Sequence, residues 1–212
     1  MSYPYGMGSL AQAKSLGGIG SLLLVLSVIP SAGPILGIIG FVLVLIAVKN
    51  ISEAVGNKAI YDNALISIIL GIVGLVVGLV VGVAGFLSFF GAPRFFQGPF
   101  EPPFERGFQP GDFMGPGFIS FILAIIAGLL VIWATTIASA VYLRRSFTSI
   151  ASALSIKQFS TAATLYLIGA VLVVVLVGFI IILVAAIIQT LAFFSIPEQL
   201  PKPSSPPPSA PT

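Results

Sequence analysis

The chain has 212 residues and a formal charge of +3; 58% of its residues are hydrophobic, only 7% are charged, and the mean hydropathy is +1.16. A soluble domain carries roughly 25% charged residues to wet its surface, so nine basic and six acidic side chains make lipid the natural solvent for most of this one. The absence of cysteine and histidine excludes disulfides, thiol redox chemistry, the usual zinc and haem sites and imidazole acid–base catalysis, and the pI near 9.4 reflects Lys and Arg at helix ends rather than a nucleic-acid surface.

Crossing hydrocarbon as a helix takes about 20 apolar residues, because every backbone amide must be satisfied without water. Residues 1–8 read as an N-terminal cytoplasmic segment. Ser9 and Gln12 form a capping-box pattern, and the helix it predicts runs over about 10–29 and stops at Pro30. Pro30-Ser31-Ala32-Gly33-Pro34 reads as a tight turn, with Pro34 suited to the first position of a second helix. That helix, about 34–55, carries apolar Ile35–Val48 and a polar extension before Gly56-Asn57. One bent helix over Leu10–Val55 is the alternative, giving four spans. A signal peptide over 1–32 is disfavoured by the prolines flanking its only cleavage candidate, Ala32.

The third span is about 63–90 and has no charge from Ala64 to Phe90. An outer Phe/Pro/Gly-rich loop, 91–116, follows. The fourth span, about 117–143, starts behind Pro116 and ends at Arg144-Arg145. Ser155 and Gln158 make a second capping box, opening a fifth span of about 161–196 that Pro197 ends. Residues 197–212 form a proline-rich tail. The fold expected is therefore an all-α, polytopic transmembrane bundle of about five spans. Five spans place six basic residues on one side and three on the other, which predicts a cytoplasmic N-terminus and an extracellular C-terminus.

Within the spans the sequence offers packing rather than chemistry. Gly71, Gly74, Gly78, Gly82 and Gly85 recur at helical spacing on one face of the third span, and small residues at such spacing let another backbone approach closely. The expected use is tight packing inside one bundle, with self-association through this span as the sharper alternative. No Asp, Glu, Lys, Arg or His lies away from a span end, whereas proton relays, ion-coupled transport and intramembrane hydrolysis normally need ionisable groups at depth. The polar inventory is mostly Ser and Thr, expected to bond back to their own helices. Gln189 is different: its amide needs an interhelical partner.

Lys49–Asn63 and Arg144–Thr161 combine basic and apolar residues at helical spacing and are expected to lie along the headgroups. Both connectors place a lysine, Lys58 and Lys157, just before the next helix, which suggests a parallel duplication. Phenylalanines of the outer loop could dip into the far headgroup region. Its Glu101, Glu105 and Asp112 are too dispersed for a calcium site.

The segments Ala13-Lys14-Ser15-Leu16-Gly17-Gly18-Ile19-Gly20, Gly33-Pro34-Ile35-Leu36-Gly37-Ile38-Ile39-Gly40, Ala47-Val48-Lys49-Asn50-Ile51-Ser52 and Ala192-Phe193-Phe194-Ser195-Ile196-Pro197 resemble an uncharacterised family of small membrane proteins, mostly archaeal, catalogued as domain of unknown function 996. The resemblance covers about three quarters of the chain and omits the Phe-rich loop and the tail. It implies a multi-span prokaryotic membrane protein and carries over no catalytic or binding residue. The leading functional expectation is a non-enzymatic structural or accessory subunit of a membrane complex, with no cofactor and no metal. The alternative is a transporter or channel for an uncharged or apolar solute, and an enzyme ranks third because no nucleophile–base pair lies at a plausible depth.

Overall fold

The computed structural model describes the backbone of residues 5–90 and 116–198, and the side chains of 10–87 and 118–198. The described chain is all α: α1 (Tyr5–Leu26), α2 (Gly33–Val55), α3 (Lys58–Phe90), α4 (Pro116–Leu154), α5 (Lys157–Leu172) and α6 (Val177–Phe194), with a 3₁₀ turn at Val173–Val175. Five stretches are long and apolar enough to cross a membrane, namely α2 to α6, while the apolar part of α1, Leu10–Leu26, is shorter. The outer loop and most of the tail lie outside the described residues.

Residues 10–55 form two helices, and the turn between them follows the proline–glycine punctuation. Gly33 N–H bonds to the Ile29 carbonyl at 2.7 Å, and Pro34 enters at the first turn of α2. Neither capping box is used. Ser9 lies inside α1, which starts at Tyr5. Ser155 stands before the cap residue Ile156 with φ 60°, and no side chain caps α5. Arg144 and Arg145 do not end α4, because charged side chains are compatible with helix outside hydrocarbon; it continues to Leu154.

The larger correction concerns the span expected at 161–196. It is two helices joined at Val173–Leu176, where Leu176 takes φ 62°. One helix of that length would measure about 54 Å against a hydrocarbon layer of about 30 Å. Gly169 of α5 faces Gly178 of α6, and a Cβ on Gly169 would lie 3.1 Å from the Gly178 carbonyl oxygen, so glycine lets the arms close on each other. No Pro, Asn or Gly marks the turn itself, which is a run of valine and leucine.

The chain divides into two compact units, Met1–Ile66 with Ala140–Thr212, and Ser67–Ser139. The first has a core at one end, its basal end. There Leu10 and Ala13 begin α1, Val48 and Ile51 close α2, Ile60 begins α3, Phe147 and Ile150 close α4, Phe159 begins α5, and Phe193 and Ile196 close the chain of helices. Phe159 packs edge-on against Phe147 (centroids 5.6 Å, 78°) and Phe193 (5.0 Å, 88°). The buried Ser146 hydroxyl donates to the Ile60 carbonyl at 2.7 Å, fixing α4 on α3. Because Leu10 and Ile196 share this core, the described chain enters and leaves at the same end.

The two basal connectors repeat one another with an offset of 99 residues. Gly56 (φ 69°) and Ser155 (φ 60°) take the left-handed conformation. Asn57 N–H bonds to the Ser52 carbonyl and Ile156 N–H to that of Ala151; Ile60 N–H bonds to Asn57 and Phe159 N–H to Ile156. This is the Schellman closure that satisfies the last carbonyls of a helix. Buried positions match as well: Val48 with Phe147, Ile51 with Ile150, Ile60 with Phe159, Ala64 with Ala163. With Lys58 matching Lys157, the duplication read in the sequence has a counterpart in backbone geometry and burial.

Phe159 joins the ends of α4 and α6 through both ring contacts, so Phe159→Ala should cost about 3–5 kcal/mol. Thermal unfolding in detergent micelles measures this; a loss below about 1 kcal/mol would remove the aromatic cluster from its central place.

Candidate functional site: spent polar groups and an open groove

The described charged residues, Lys14, Lys49, Glu53, Lys58, Asp62, Arg144, Arg145, Lys157 and Glu198, all belong to the first unit and lie near the helix ends that meet in its core. Lys49 pairs with Glu53 at 3.8 Å, with both side chains more than half exposed, so the pair contributes little. Arg145 lies over the Tyr142 ring at 5.2 Å. Among the described residues no cluster of His, Cys, Asp and Glu could hold a metal ion.

Deeper in the helices the serine, threonine and glutamine side chains are engaged in internal bonds. Gln189 Nε2 donates to Ser21 Oγ at 2.8 Å, and both residues are buried, so the amide on α6 is tied to α1. In the second unit Ser139 Oγ donates to the Ser67 carbonyl at 2.8 Å and lies 3.0 Å from Ser67 Oγ, joining α3 to α4. Thr135 and Thr136 return to the Ile132 carbonyl at 3.0 and 2.7 Å, and Thr164 to Ser160 at 2.9 Å. Hydroxyls bonded this way have spent their proton on their own helix and keep only acceptor capacity. The Ser88 side chain lies outside the described set. Asn50, a residue not singled out in the sequence, has its Nδ2 buried without a partner at the basal end of α2; its neighbours in sequence carry no signal of this.

The glycines of α3 divide by what they face. A Cβ on Gly74 would overlap Thr135, one on Gly78 would overlap Ile132, and one on Gly85 would overlap Ala124, so these three seat α4 directly. A Cβ on Gly71 would have Ser139 Oγ at 3.7 Å, and one on Gly82 would have nothing within 4 Å. A Cβ on Gly128 of α4 would lie 2.8 Å from the Gly78 carbonyl oxygen, which marks a close backbone approach of α3 and α4. Beside it opens an apolar groove of about 380 Å³, lined by Gly78, Gly82, Phe86, Phe121 and Leu129 among others. A second, shallow concavity of about 350 Å³ at the basal end carries Thr148, Ser152, Ser155, Lys157 and Ser160.

Five long, apolar helices with no charge at depth define a polytopic α-helical membrane protein. The chain belongs to the DUF996 family, proteins of unknown function, whose description matches residues 36–187. It is 29% identical over 191 residues, 90% of this chain and 95% of the relative, to the uncharacterized protein MJ1644 of Methanocaldococcus jannaschii. No solved structure matches it.

Gln189 and Ser21 should respond unequally to removal. Ser21→Ala leaves the amide without its partner at depth and should cost about 1–2 kcal/mol, whereas Gln189→Leu leaves a hydroxyl able to bond its own helix and should cost about half of that. Unfolding of the two variants in micelles measures the difference; equal and negligible losses would show that the pair contributes nothing.

Proposed function

We propose that this protein is a non-enzymatic structural or accessory subunit of a complex in the cell membrane, and that it docks other membrane helices through α3 and α4. The observation that carries this reading is the combination of spent polar groups with open apolar surface in the second unit. Val76, Leu79, Val80 and Val83 of α3, and Leu123, Leu129 and Leu130 of α4, are each more than half exposed. Between them lies the groove at Gly82, where close backbone approach remains available. In hydrocarbon, association depends on such close packing, because lipid tails cover apolar side chains as well as protein does. The occupant is another subunit or a second copy of this chain. A solute path would need polar groups free to face it, and the bonded hydroxyls and amide speak against a transporter.

Gly82→Leu is the cleaner test, because its Cβ meets nothing within 4 Å and the side chain enters the groove against its α4 wall without wedging the closest approach of the two helices. Gly78→Leu would wedge α3 from Ile132 and confuse folding with assembly. Mild solubilisation of the native protein, followed by particle sizing and mass spectrometry of co-purifying proteins, should find a complex that Gly82→Leu reduces. A monomer of unchanged size in both proteins would overturn the reading.

The basal end is proposed to face the cytoplasm, because Lys14, Lys49, Lys58, Arg144, Arg145 and Lys157 all gather there and basic residues favour that side. The C-terminal end then lies in the cytoplasm with the N-terminal one. Single cysteines at Gln12 and Ser195 should label together, from the inside of intact cells only. Labelling of Ser195→Cys from outside would overturn this orientation.

A further inference from the structure

Unused hydroxyls collect at the basal concavity between the end of α4 and the start of α5. Thr148, Ser155 and Ser160 line it, and among the described residues none of these three side chains makes a hydrogen bond. Their neighbours do: Ser146, Ser149, Ser152, Thr161 and Thr164 each donate to a backbone carbonyl, at 2.7 to 3.3 Å. Three hydroxyl protons are therefore left for a ligand that accepts.

Charge selects the kind of acceptor. From residue 113 to 197 the sequence has no acidic residue and three basic ones, Arg144, Arg145 and Lys157. Lys157 lines the concavity. Arg144 precedes Thr148 by four residues, Ala151 by seven and Ser155 by eleven, spacings that align them along one face of α4 and its closing turn. Arg145 lies over the Tyr142 ring, but among the described residues neither Arg144 nor Lys157 has an ionic partner.

The duplicated connector supplies the comparison. At the same offset, Leu45 stands for Arg144, Glu53 for Ser152, Gly56 for Ser155 and Tyr61 for Ser160, while Lys58 matches Lys157. Lys49, at the place of Thr148, pairs with Glu53, and Asp62 follows Tyr61. Lys49 and Lys58 are thus balanced by Glu53 and Asp62 within the first connector. The second has the same backbone closure but carries cations and free hydroxyls with no anion.

Depth agrees. The uncharged stretch of α4 ends at Leu143, and Thr148 lies about 8 Å further along the helix. Ser160 lies about 3 Å before the apolar run that begins at Ala162. A headgroup layer is about 5–8 Å deep on each side of the hydrocarbon. We propose that the concavity binds a phosphate group, with Lys157 and Arg144 supplying the opposite charge and Thr148, Ser155 and Ser160 donating to its oxygens. An anionic lipid headgroup is the source that this depth favours, and free phosphate is the other. The site does not depend on assembly through α3 and α4; only its lipid source rests on the membrane reading.

The full-length protein in an uncharged detergent, freed of bound lipid, would be titrated calorimetrically with phosphatidylglycerol, phosphatidylcholine and inorganic phosphate. Phosphatidylglycerol should bind at least about tenfold more tightly than phosphatidylcholine, whose choline cation offsets its own phosphate. R144Q/K157Q should remove that preference, while K49Q/K58Q, which deletes the same charge from the matching connector, should keep the native affinity within about twofold. T148A/S160A retains every charge and should weaken binding about three- to tenfold. Unfolding temperatures check that each variant keeps the fold. Inorganic phosphate binding as tightly as phosphatidylglycerol, and lost in R144Q/K157Q, supports the site and assigns it to the free anion. Equal weakening in the two charge variants would reveal a diffuse basic surface and overturn the proposal. T148A/S160A at native affinity overturns it as well, as does a native protein that binds neither phosphate nor phosphatidylglycerol in preference to phosphatidylcholine.

Discussion

Hydrocarbon withholds from these helices the force that assembles a water-soluble core, since lipid tails solvate a leucine as well as another leucine does. What remains is close contact between backbones, and the fold uses it three times. Gly20 lies against Gly40 between α1 and α2, where a Cβ on either would come within 2.8 Å of the opposite carbonyl oxygen or closer. Gly78 lies against Gly128 between α3 and α4, and Gly169 against Gly178 between α5 and α6. Each up–down pair is thus closed by glycine on both helices. The turns differ widely in composition; the crossings do not.

At the basal end the rules of aqueous packing return. Three phenylalanines interlock there, a serine hydroxyl spans α4 and α3, α2 and α4 end in backbone closures, and Asn57 Oδ1 accepts from the Ala59 N–H to cap the start of α3. The first unit is therefore anchored where charge and water are near, and held above that level by glycine contacts and the Ser21–Gln189 bond.

Much of this was legible in the residues. The charge-free stretches announced membrane helices, and Pro30 to Pro34 announced the first turn. Gln189 announced a partner, because an amide in lipid must bond to something. The partner's identity was not legible, since Ser21 is one of many serines and only the register of α1 on α6 selects it. The turn at Val173–Leu176 was hidden for a physical reason. Hairpins in water are punctuated by residues that tolerate left-handed backbone and solvent, whereas this one is set by length and by glycines on the arms, Gly169 four residues before the turn and Gly178 two residues after it. Capping boxes misled in the opposite sense: Ser9 sits within a helix, and Ser155 serves as the left-handed residue of a closure. The α3 glycines looked equivalent as a stripe. Only the position of α4 separates Gly74, Gly78 and Gly85, which it covers, from Gly82, which it leaves open.

The matched connectors have a consequence for anyone redesigning this chain. Two segments that fold alike 99 residues apart form a comparison of two sequences written into one molecule. Where Val48 stands in one, Phe147 stands in the other, and Gly56 answers Ser155. Each pair sets two different side chains at equivalent points of one backbone closure, so the closure itself does not depend on which of the two is present.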